Sequence, residues 1–158
     1  MTTRHLTYLA AFGSVGLLAG AFAFQHLGGL PPCQLCLTQR WPHAVAVLIG
    51  AVILLGSFYR LAPLGAIAAL TTASYGIYHV GVEHKWWDGP SSCSGGADRS
   101  NLNAEQILDQ LLATQVVRCD DVLWDLFGIS MAGWNAIFSM CLAGLWIVIS
   151  FRAYKSAA

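Results

Sequence analysis

The sequence predicts an all-α membrane protein, a bundle of four transmembrane helices with two outer loops, the second carrying a short amphipathic helix. Three observations lead there. Hydrophobic residues make up 56% of the chain and charged residues only 10%, where a soluble domain carries about 25% charged. Four apolar runs, 6–27, 41–59, 64–82 and 132–151, are each of a length that crosses a hydrocarbon core. All eight acidic residues fall between Glu83 and Asp125, while Arg4, Arg60, Arg152 and Lys155 stand at the ends of apolar runs. The net charge is zero, which gives no reason to expect a nucleic-acid partner.

The first run follows Arg4 and contains small residues, as a signal peptide would. It is too long for a signal-peptide core and three more spans follow, so we expect it to remain as a helix. Gly13, Gly16 and Gly20 are expected to let a neighbouring helix approach closely. In the connection 28–40, Gly28-Gly29 and Pro31-Pro32 break the helix, and Pro32 fixes the backbone just before Cys33. The second run carries Pro42 where a first-turn proline is tolerated. Arg60-Leu61-Ala62-Pro63 makes a tight turn into the third run, whose far end holds Tyr75 and Tyr78. The fourth holds Trp134 and Trp146 toward opposite ends, where aromatic belts lie. The positive-inside rule puts Arg4, Arg60, Arg152 and Lys155 on the cytoplasmic side. Both termini are then inside, loops 28–40 and 83–131 are outside, and the whole chain 1–158 forms one membrane domain.

In the long outer segment, Gly89-Pro90 and Gly95-Gly96 flank Cys93 and leave it on a turn that a soluble protein could reach. Asn103 with Gln106 reads as a capping box, and Ile107, Leu111, Leu112 and Val116 follow helical spacing. Together they predict an amphipathic helix against the membrane surface or the bundle.

Chemistry concentrates in PPCQLCLTQR, 31–40, where Cys33 and Cys36 form a C-x-x-C pair at the membrane boundary and Arg40 follows. Of five cysteines, Cys33, Cys36, Cys93 and Cys119 lie outside the apolar runs and Cys141 lies inside one. Four cysteines in outer loops argue for disulfides in an oxidising compartment. Zinc is the competing use, but Cys93 and Cys119 lack the close spacing of structural zinc sites, so no metal is expected. The pairs read either as a two-stage thiol–disulfide relay or as two structural staples. A C-x-x-C bridge closes too small a loop to add much stability, which favours redox use.

These marks resemble the DsbB family of bacterial inner-membrane proteins. They are PPCQLCLTQR before the second span, Glu83-His84 after the third, Cys93 and Cys119 in the outer loop, and WDLFG at 124–128 before the fourth. The resemblance implies a thiol:quinone oxidoreductase of the inner membrane, since the DsbA–DsbB–quinone route keeps a periplasm oxidising. It implies that Cys93 and Cys119 form the disulfide reduced by a DsbA-like thioredoxin-fold partner, with Cys93 as the attacked sulfur. Electrons would pass through a transient Cys33–Cys119 bridge to Cys33 and Cys36, and then to ubiquinone or menaquinone bound beside Arg40 and His84. Gln39 stands where the family often has glutamate before the arginine. His5, His26, His43 and His79 are read as ordinary polar residues, and Cys141 as a small apolar packing residue. Two rivals remain. One is a quinone–thiol enzyme like vitamin K epoxide reductase, which places its C-x-x-C near the last span of its bundle. The other is a membrane module that handles metal through Cys and His; the absence of acidic residues from the spans weighs against it.

Overall fold

The structure, a computed structural model, describes residues 1–90, 93, 103 and 117–155. Four long helices carry the fold: α1 (Thr3–His26), α2 (Gln34–Gly56), α3 (Ala62–Glu83) and α4 (Met131–Lys155). A 3-10 turn, Tyr59–Leu61, precedes α3, and a hairpin of β1 (Asp125–Leu126) and β2 (Ile129–Ser130) precedes α4. Helices α1 and α3 each pack against both α2 and α4, so the bundle is a ring in chain order. Each helix is long and apolar enough to span a bilayer, and the protein is a multi-pass membrane protein.

Arg4, Arg60 and Arg152 share one end of the bundle. Arg152 Nη1 donates to the Met1 carbonyl at 2.8 Å, and Arg4 and Arg60 line one recess there. Cys33 and the hairpin lie at the other end. The hairpin pairs Asp125 with Ser130 and Leu126 with Ile129. Its two turn residues, Phe127 (φ 55°) and Gly128 (φ 75°), both take the positive φ that a tight two-residue hairpin needs.

Packing differs between the two ends. At the basic end Leu6, Ile53, Ala66, Leu142, Trp146 and Ile149 form the buried core. Trp146 is fully buried, not in an interfacial belt as its position in the run predicts. Gly50 and Gly65 open a slot for its indole, and a Cβ at Gly65 would overlap the ring. Gly13 does bring α1 against Leu142, but a Cβ at Gly16 or Gly20 would meet nothing within 4 Å. Those two glycines therefore leave space toward the cysteine end instead of closing a helix contact.

Two further expectations are corrected. Helix α2 starts at Gln34, well before the expected 41, because Cys33 caps it; Pro42 consequently lies inside the helix. Cys141 faces the exposed surface of the bundle and does not pack inside it. The expected amphipathic helix through Ile107, Leu111, Leu112 and Val116, with Gln106 and Gly95-Gly96, lies outside the described residues.

Because the Gly65 Cβ has no room, Gly65→Ala should cost about 1–3 kcal/mol through overpacking. Gly16→Ala, into open space, should change stability by no more than about 0.5 kcal/mol. Unfolding of the purified protein in detergent micelles measures both, and equal losses would contradict the packing difference between the two ends.

Candidate active site

The site is built around the first turn of α2. Cys33 is its N-cap (φ −74°, ψ 171°), with Sγ accepting the backbone N–H of Cys36 at 3.3 Å. A cysteine here does what serine or aspartate does at other N-caps. It also places sulfur at the positive end of the helix dipole, where negative charge is favoured. Cys33 Sγ donates to Cys36 Sγ at 3.1 Å, so the pair is reduced and its two sulfurs share the Cys33 proton. That sharing, together with burial, raises the Cys33 thiol far above its ordinary pKa, so the Cys33 proton is held firmly while the Cys36 sulfur accepts it.

Cys93 and Cys119 are joined in a disulfide with Cα atoms 5.1 Å apart, an ordinary separation. Both are buried, at 2% and 1% exposure, and they pack with Cys33, Leu35 and Val82 in one cluster. Cys93 is thus not the accessible turn residue that its flanking glycines predict. The Cys33 sulfur, the Cys119 sulfur and a ring nitrogen of His79 all lie within 4.8 Å of one another, with Nε2 3.6 Å from Cys33. The fold brings both cysteine pairs to one place, with Cys33 at the join.

Beneath the sulfurs runs a polar network between the helices. Gln39 donates from Nε2 to the Leu35 carbonyl (3.1 Å) and contacts His79 Nδ1 (3.0 Å). Its Oε1 accepts from Asn135 Nδ2 at 2.7 Å. Asn135 also reaches Thr72 and His43, and His43 reaches Ser14 and Ser139. His79 Nε2 lies 3.6 Å from Cys33 Sγ and 3.9 Å from Glu83 Oε1. Ser130 donates to Glu83 and accepts the N–H of Gly133, fastening the hairpin and the start of α4 to α3.

Beside this network a cavity of about 400 Å³ opens between the helices and the hairpin segment, within the range of small-molecule sites. Cys33, Cys36, Arg40, His79 and Glu83 line it, and Gly16 and Gly20 form part of its wall. Arg40, one turn beyond Cys36, donates from Nη1 to Gln25 Oε1 at 2.6 Å and from Nη2 to the Ala21 carbonyl at 3.4 Å. Its guanidinium lies 4.9 Å from the centre of the Phe22 ring. Its Nε is buried and has no partner among the described residues.

Of the residues singled out from the sequence, Cys33, Cys36, Cys93, Cys119 and Arg40 come together here. His84 does not. It caps the end of α3, is exposed and stacks on Trp86 at 5.2 Å, outside the cavity wall. Its place in the cavity is taken by His79 and Glu83, both on α3 one turn apart. Sequence reading passed over His79, although its i,i+4 spacing to Glu83 puts both on one helix face. Gln39, noted only as a departure, is the centre of the network.

The model of the family described as "Disulfide bond formation protein DsbB" matches residues 3–149. "Disulfide bond formation protein B" of Verminephrobacter eiseniae is 32% identical over 168 residues, covering 99% of this chain and 90% of that protein. The same-named protein of Marinobacter nauticus is 29% identical, covering 98% and 96%. "Disulfide bond formation protein B 2" of Pseudomonas aeruginosa is 32% identical, covering 89% and 87%. No solved structure gives a significant match. With its two cysteine pairs gathered at one end of a four-helix membrane bundle, this chain belongs to the DsbB family of disulfide-forming membrane proteins.

Proposed function

We propose that this protein is an inner-membrane thiol:quinone oxidoreductase that reoxidises a DsbA-like thioredoxin-fold dithiol. Both termini are cytoplasmic, loops 28–40 and 83–131 are periplasmic, and residues 1–158 act as one domain. The observation that carries the reading is continuity. Cys33 lies beside the Cys93–Cys119 disulfide and also in the wall of a cavity that Cys36 and Arg40 share.

The exchange steps follow from thiolate chemistry. A partner thiolate attacks Cys93; the Cys93–Cys119 bond breaks and Cys119 leaves as thiolate. The second partner thiol then displaces Cys93, completing the partner disulfide. Because Cys93 is buried, the attack requires the partner to uncover it. With Cys33 and Cys36 oxidised, the Cys119 thiolate attacks Cys33, and Cys36 leaves as thiolate. Cys93 then displaces Cys33 from Cys119, which restores the outer disulfide and leaves Cys33 and Cys36 reduced.

The cavity fits a quinone head group on one observation: the buried Nε of Arg40 lacks an acceptor, and a carbonyl oxygen supplies one. Bound there, a quinone supplies an acceptor for two electrons and two protons. Arg40 would hold the ring oxygen and steady negative charge on Cys36, one turn before it on the same helix. Glu83, whose side chain is buried in the cavity wall, is placed to move a proton. Gly16 and Gly20 leave the space the ring needs.

Three outcomes test this reading. Thiol labelling of single cysteines placed at 60 or 158 in intact cells should occur only from the cytoplasmic side; outside labelling at 60 would overturn the orientation. Arg40→Ala should lower kcat/KM for quinone by about a hundredfold, as losing a donor to developing charge does. Arg40→Lys should fall between, since it keeps charge without the planar fork. Unchanged quinone kinetics in a folded Arg40→Ala protein would reduce Arg40 to an interfacial anchor. Cys36→Ala should abolish quinone reduction, whereas Cys141→Ala, on the bundle's exposed surface, should retain most of it; equal loss would mean the redox set is misassigned.

A further inference from the structure

We propose that His79 is a catalytic hydrogen-bond donor to the Cys33 sulfur during exchange between the two cysteine pairs, and that Gln39 is the positioning residue that puts the His79 proton on Nε2. The proposal rests on the relay reading above and assigns it a residue outside the cysteines and Arg40.

The orientation of the Gln39 amide follows from its neighbours. The Leu35 carbonyl can only accept, and it takes a hydrogen from Gln39 Nε2 at 3.1 Å. Asn135 Nδ2 can only donate, and it gives to Gln39 Oε1 at 2.7 Å. Turning the amide over would set oxygen against oxygen and N–H against N–H. The Asn135 amide is fixed in turn, because its Nδ2 also reaches Thr72 Oγ1. The Thr72 hydroxyl already spends its hydrogen on the Gln39 carbonyl. The second hydrogen of Gln39 Nε2 therefore points at His79 Nδ1, 3.0 Å away, and Nδ1 must accept it. A neutral imidazole has one N–H, so it lies on Nε2.

Nε2 faces the Cys33 sulfur at 3.6 Å, closer than the Glu83 carboxylate oxygen at 3.9 Å, and the Cys119 backbone carbonyl is a further acceptor beside the ring. Cys33 has a lone pair to receive the N–H, because its own hydrogen is turned to Cys36. His79, Cys33 and Cys119 have the spacing of metal ligands. But a protonated Nε2 offers no lone pair, and the Cys119 sulfur is bonded to Cys93. The arrangement is one for donating to sulfur.

From the state seen here, and with Cys36 as thiolate, exchange begins as the Cys33 proton passes to the Cys36 sulfur. The Cys33 thiolate then attacks Cys119: the Cys33–Cys119 bond forms, the Cys93–Cys119 bond breaks, and the electron pair leaves on Cys93. No further oxidant is needed. In reverse, Cys93 attacks Cys119 and Cys33 leaves as thiolate. Either way charge stands on the Cys33 sulfur, and the Nε2–H of His79 stabilises it.

The test uses the full-length protein in detergent micelles with Cys36→Ala and Cys141→Ala, which leave Cys33 and the Cys93–Cys119 disulfide as the only reacting set. Exchange is started by a jump from acid to mildly alkaline pH and stopped with acid. Cys33–Cys119-linked peptides are then counted by mass spectrometry. His79→Leu should slow their formation by about tenfold or more, the size of losing one hydrogen bond to a charged group. His79→Gln, which keeps an N–H, should recover most of the rate. In the otherwise unaltered protein, 15N NMR of labelled histidine should find His79 protonated on Nε2. With Gln39→Glu, whose carboxylate can only accept, the proton should move to Nδ1. A His79 protonated on Nδ1 beside Gln39, or an unchanged rate in His79→Leu, overturns the proposal; should that variant not fold, His79→Gln no faster than His79→Ala does the same. Failure of the linked peptide to form even with His79 present would instead sink the relay reading.

Discussion

Inside a bilayer a polar group finds its partner within the protein or has none, and Gln39 is where this bundle meets that constraint. Its side chain is nearly buried yet spends both amide ends, on Leu35 and His79 through nitrogen and on Asn135 through oxygen. Its backbone carbonyl takes the Thr72 hydroxyl. Through Asn135 the network continues to His43 and on to Ser14 and Ser139. Every helix of the ring contributes a member. Leaving one buried donor or acceptor unmatched costs about 1–3 kcal/mol, so the network specifies one helix register more sharply than apolar contacts do. The redox cysteines sit one turn above it and inherit that precision.

The cysteine pair depends on the same helix in another way. Because α2 starts at Gln34, Cys33 is a helix cap and Cys36 lies in the first turn. A pair in a flexible loop would have to find its geometry at each encounter. Here the sulfurs are held at 3.1 Å by helix geometry, with the N-terminal dipole beneath them. Thiolate chemistry is thereby matched to the one helix terminus that also borders the cavity. A site on a regular element is held more closely than one on a loop.

Much of this was legible in the sequence. Long uncharged runs and lopsided acidic residues give the bundle directly, because membrane length and charge cost act on composition alone. The C-x-x-C pair and Arg40 could be named because their spacing is local. What was not legible depends on distance in three dimensions. No periodicity says that His79 meets both Cys33 and Gln39, forty or more positions away in sequence. The Trp146 slot depends on Gly50 and Gly65 from two other helices, so an aromatic near a helix end looked interfacial. His84, adjacent to Glu83 in sequence, was preferred over His79. Adjacent residues on a helix point about 100° apart, and only Glu83 and His79 share the inward face.

The glycines show how one residue type can serve opposite ends of the same bundle. At Gly13, Gly50 and Gly65 the missing side chain is replaced at once by Leu142, Ala11 and Trp146, and helices close to contact. At Gly16 and Gly20 nothing replaces it. An unfilled apolar volume lowers stability by the contacts its lining forgoes, so a hollow at the cysteine end is a cost that dense packing at the basic end offsets. The same division separates rigidity from access. The core around Trp146 holds the helix axes fixed, while the cysteine end keeps a hollow next to a buried unpartnered donor on Arg40 and to the sulfurs. A bundle uniformly packed to the standard of its basic end would have no place for a ligand between its helices. One uniformly hollow would not hold Cys33, His79 and Cys119 within reach of one another.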